Sequence, residues 1–113
     1  MNKMTFQEFE GVMSFDVGKI KSRSGLEINF CIDNSNIYQE SWMGKMKDRE
    51  TGEDTYWFGL VPDGSQGYDF PTFEEFASAK VFDGSSLKEI WDSVSIWSLH
   101  GGLVEEMLPF FLK

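Results

Sequence analysis

The residues Leu26-Glu27-Ile28-Asn29-Phe30-Cys31-Ile32-Asp33 alternate apolar and polar without a break. Alternation at period two puts every second side chain on one side of an extended chain, so the stretch predicts a strand with one buried and one wet face. Ser24-Gly25 in front of it and Asp33-Asn34-Ser35-Asn36 behind it read as turns, because glycine and short polar residues tolerate the dihedrals a turn needs. Upstream, Met13, Phe15 and Val17 alternate with Ser14, Asp16 and Gly18, which predicts another strand over residues 12–21. Downstream, residues 37–47 predict a strand with Tyr38, Glu40, Trp42, Gly44 and Met46 on one face. A charged turn around Gly52 follows. Residues 55–61 then read as a fourth strand, whose unbroken run Tyr56-Trp57-Phe58-Gly59-Leu60-Val61 points to burial on both faces. Links this short join neighbouring strands, so the first half is expected to be an antiparallel meander.

Helix signals are short. Thr5…Glu8, Thr72…Glu75 and Ser86…Glu89 all have capping-box spacing, in which a hydroxyl and a carboxylate satisfy the free amides of a helix start. Gly11 is expected to close the first helix after a turn, and residues 62–70 read as a loop. Val94, Ile96 and Ser98 alternate with Ser95, Trp97 and Leu99 as a fifth strand, broken by His100-Gly101-Gly102. Residues 103–108 allow one or two helical turns before Pro109, which limits the helix. The expected fold is α+β: a single compact domain over residues 1–113, an antiparallel sheet of four to five strands, and two or three short helices mostly in the second half.

Composition narrows the class. The 113 residues carry 10 Lys and Arg against 19 Asp and Glu, a net charge of −9. Hydrophobics at 41%, with 16% aromatics, are enough to build a core and argue against disorder. One cysteine, Cys31, excludes an internal disulfide and a Cys-rich zinc site. No secretory leader or membrane span is read from the chain, and a cytoplasmic setting is expected.

Catalytic signals are weak throughout. His100 is the only imidazole, so no multi-histidine metal centre is expected, and a lone His at a strand end reads first as a turn residue. The paired acids Glu53-Asp54, Glu74-Glu75 and Glu105-Glu106 are sequence neighbours, which on a helix point about 100° apart and do not converge on a cavity. The segment Asp63 to Asp69 lacks the ligand series of a calcium loop. No phosphate-cradling or nucleophile-elbow motif is present. No catalytic residue, cofactor or metal is therefore assigned. Lys19, Lys21 and Arg23, and again Lys45, Lys47 and Arg49, recur at period two. With the acidic balance against nucleic acid, they read as guards of sheet edges.

Aromatic placement is the unusual feature. In a strand, Trp57 must face opposite Tyr56 and Phe58, and Trp97 opposite Val94 and Ile96. If helices cover one face only, the other shows Trp57, Trp97 and Trp42, and tryptophan is enriched at interfaces. An acidic, motif-poor, aromatic-rich domain fits a stoichiometric inhibitor steered by charge onto a basic protein partner. Bacterial immunity proteins that neutralise nuclease toxins have this general character. Glu50, Glu53, Asp54, Asp63 and Asp69 are the expected acidic rim, on adjoining loops, with Trp57 and Tyr68 as anchors. The alternatives are a small ligand-binding or enzymatic domain using His100, and a homo-oligomeric accessory protein whose aromatics pair in a homodimer.

Overall fold

The computed structural model describes residues 3–20 and 25–112. Five strands, β1 (Leu26–Ile32), β2 (Ser41–Lys47), β3 (Asp54–Gly59), β4 (Gly67–Phe70) and β5 (Val94–Leu99), form one antiparallel sheet in the order β4-β3-β2-β1-β5. The helices are α1 (Phe6–Met13), α2 (Phe73–Ser78) and α3 (Val104–Phe111). The expected α+β class holds. The meander is β1 to β4, and β5 closes onto β1 from the far side.

Register sorts the side chains. Ile28 pairs with Met43 and Met43 with Phe58, so these lie on one face, where all three are buried. Phe9, Val12 and Met13 of α1, at i, i+3, i+4 spacing, and Phe76 of α2 are also buried in this core. Phe58 stacks on Phe76 with ring centroids 4.1 Å apart, and Phe9 stacks on Trp91 at 4.5 Å. Capping at α1 is reciprocal, with Glu8 N donating to Thr5 Oγ1 and Thr5 N donating to Glu8 Oε1.

Several expectations are corrected. Residues 12–20 are not a strand: α1 runs through Gly11 to Met13, and a 3-10 turn, Val17–Lys19, follows. Gly11 does not end the helix but brings it close to the C-terminal segment, since a Cβ there would lie 2.6 Å from Leu112. Asp16 then diverts the chain by accepting from Gly18 N. Lys21, Arg23 and the turn at Ser24 lie outside the described residues. The strand expected from residue 37 begins at Ser41, because Ser35 Oγ accepts from Ile37 N and Tyr38 N and keeps that segment in a turn. The expected loop 62–70 contains the edge strand β4. The box Ser86…Glu89 forms but opens only one turn ahead of the 3-10 segment Trp91–Ser93. Pro109 stands inside α3, which continues to Phe111 because Val104 and Phe111 anchor both ends in the core.

Two further corrections concern β5 and β2. Asn29 pairs with Ser98 but Phe30 with Ile96, so Trp97 is an extra residue. This bulge returns Leu99 to the core, beside Ile96 and not opposite it. Lys45 guards no edge: β2 is the central strand, and Lys45 is buried with its ammonium donating to the carbonyls of Met13 (2.9 Å) and Phe15 (3.0 Å).

Candidate functional site

The three helices lie against the face that carries Ile28, Met43 and Phe58. Among the described residues the opposite face is bare of helix. Its strand residues fall in two cross-strand rows. One runs Glu27, Gly44, Trp57, Asp69, and the other Ser98, Asn29, Trp42, Gly59. Met46 and Thr55 continue it at one end, Cys31 and Ser95 at the other. Trp42 is 41% exposed, Trp97 51% and Met46 41%, which are high values for side chains this large and apolar. Trp57 is half-buried. It lies across Gly44, where a Cβ would come 2.7 Å from the ring, so only glycine lets this indole lie so close to the sheet. Its Nε1 is buried without a hydrogen-bond partner among the described residues.

Between the two indoles the sheet is hollow. A depression of about 550 Å³ is lined by Glu27, Glu40, Trp42, Trp57, Gly59 and Val61 among others. Gly59 is its floor, and a Cβ there would meet nothing within 4 Å. Among the described strand residues none on this face is Lys or Arg, because period two sends Lys45 and Lys47 to the helix side. At the β1–β5 corner, Lys3 is held by Asp33 and by the carbonyl of Asp92. Cys31 is buried, and the loss of solvent followed by the nearby Asp33 charge pushes the thiol up from its ordinary pKa. Such a thiol is a packing group and not a nucleophile.

The expected acidic rim does not assemble in one place. Glu50 and Glu53 belong to the β2–β3 hairpin, whereas Asp63 belongs to the β3–β4 loop at the other end of β3, about 20 Å away at the ordinary rise of a strand. Asp63 accepts from Ser65 N, and the bonds from Ser65 hold its carboxyl below the usual range. Asp54 faces the helix side and is paired with Lys45 at 3.7 Å and Lys47 at 3.6 Å. Tyr68 pairs with Phe58 and so points to the helix side, opposite Trp57; the two anchors cannot serve one flat partner. Of the seven expected residues, Trp57 and Asp69 share the bare face, as cross-strand partners. Glu27 and Glu40 complete its charge. Their signal was present in the sequence: Glu27 occupies the wet register of the first strand recognised, and Glu40 that of Trp42.

A second acidic region lies on the helix side. Glu10, Glu53, Asp54 and Glu74 line a groove with Tyr56 and Phe73, and among the described residues no group of acids, His or Cys has the arrangement of a metal site. His100 sits in a turn with φ of 50°, and its ring meets Phe111 edge-on at 6.1 Å. The adjacent depression is lined by Lys19, Ile20, Met107 and Phe110, none of which is a carboxylate, hydroxyl or thiol. Among the described residues no helix is long and apolar enough to cross a membrane. Comparison with protein-family models, curated proteins and solved structures gives no match to this chain.

Proposed function

We propose that this chain is an acidic protein-binding module that docks a basic protein through its bare sheet face, as a stoichiometric inhibitor of the immunity-protein type does with a toxin. The observation that carries the reading is the face itself: Trp42, Trp57 and Trp97 together with Glu27, Glu40 and Asp69, and no strand cation among them. Exposed indoles supply large rigid contact area, and a one-signed rim steers and orients a partner of opposite charge. The net charge of −9 extends that steering over the whole molecule. Such a role uses no reacting group, so no enzymatic activity is assigned. A reducing cytoplasm suits the role, since a single cysteine in the sequence provides for no internal disulfide.

The test compares two double reversals of equal charge change. Glu27→Lys with Asp69→Lys alters the bare face, and Glu10→Lys with Glu74→Lys alters the helix-side groove. The tagged wild-type chain is expected to capture one basic protein near one to one from its native lysate and to release it at moderate salt. The bare-face variant loses that partner while the groove variant keeps it. Equal loss in both would reduce the interaction to net charge, and loss in the groove variant alone would move the site; either overturns the reading, as does recovery of the bait alone.

A further inference from the structure

The hollow around Gly59 has indole walls from Trp42 and Trp57, carboxylates from Glu27 and Glu40, and a floor with no side chain. We propose that it receives one arginine side chain of the basic partner, an inference that rests on the docking reading above. A guanidinium is flat and weakly hydrated, so it lies against indole faces while its edge donates in pairs to carboxylates. The hollow offers both kinds of contact within one depression of about 550 Å³. Its walls are set before binding, because Trp57 is seated on Gly44 and the position above Gly59 is empty. A lysine ammonium, compact and strongly hydrated, uses the charge but not the planar walls.

The probe is N-acetyl-arginine amide, titrated into the full-length chain while the indole N–H resonances are followed by NMR, with Trp42→Phe and Trp57→Phe assigning them. The arginine amide is expected to shift both resonances saturably, with Kd in the millimolar range and roughly five-fold tighter than the lysine amide. The citrulline amide, equal in shape but uncharged, leaves them unmoved. Gly59→Leu fills the floor and abolishes the response, with Tm retained because the substitution faces away from the core. Equal binding of citrulline or lysine, or a response that survives Gly59→Leu, overturns the assignment. If the arginine amide gives no response while the bare-face reversals still release the captured partner, the arginine pocket fails and the docking face stands.

Discussion

Lys45 shows how much one residue can be asked to do. Its ammonium is buried, and burial pushes its pKa down while the Asp54 carboxylate opposes the shift. It stays because it is the donor for two carbonyls where α1 ends, those of Met13 and Phe15. Last-turn carbonyls have no partner within a helix and carry partial negative charge, so a cation there is favoured twice. Lys45→Met keeps the volume but strands both carbonyl acceptors and leaves Asp54 with Lys47 alone of its two cations. It is expected to lower stability by roughly 2–3 kcal/mol, read as a lower urea midpoint at unchanged slope. Phe76, fully buried and stacked on Phe58, predicts a larger loss of about 3–5 kcal/mol for Phe76→Ala in the same measurement. Neither residue was legible alike: Phe76 lies on a helical apolar face, while Lys45 sits in a periodic basic trio that, from the sequence, looks like solvent-facing edge protection.

Elements were legible where one local rule governed them. The box at Thr5 predicted the start of α1, alternation predicted β1, and an unbroken apolar run predicted most of β3. Misreadings fell where a single side chain redirected the backbone: Asp16 breaking the apparent strand after α1, Ser35 delaying β2, and Trp97 shifting β5 by one residue. Alternation reports which residues are apolar and not which bond their own backbone, so those sites read as regular. α3 carries an unrepaired cost, since Pro109 is exposed and removes one amide from the helix interior. Pro109→Ala is expected to stabilise the protein on the order of 1 kcal/mol, raising Tm without change in the folded spectrum.

For the whole molecule, charge sets the behaviour at low pH. Asp16, Asp33, Asp48 and Asp63 are held below the usual carboxylate range by hydrogen bonds to backbone or side-chain donors. Glu89 falls furthest, from 4.5 to about 2, through its bonds with Lys80 and Ser86. A carboxyl whose folded pKa is depressed releases its proton more readily when folded, so the unfolded chain binds more protons below the ordinary value. The contribution of these carboxylates to stability is therefore full above about pH 4.5 and is lost as pH falls toward about 2. Thermal unfolding across that interval is expected to show a falling Tm, and Glu89→Gln a shallower fall.

The sequence by itself determined the class of fold, the run of β1, β2 and β3 as successive neighbours, the starts of α1 and α2, and the existence of a tryptophan face, because periodicity and capping act between residues a few positions apart. It also placed Trp57 on the side opposite Tyr56 and Phe58, which follows from the pleat alone. Only the tertiary structure decided which carboxylates stand beside those indoles. Asp63 and Glu53 are ten residues apart in sequence yet at opposite ends of β3, whereas Asp69, Trp57, Gly44 and Glu27 come from four strands and meet in one row. Cross-strand register is a property of paired chains, set jointly by turns, bulges and the buried face, and no local stretch of the chain carries it.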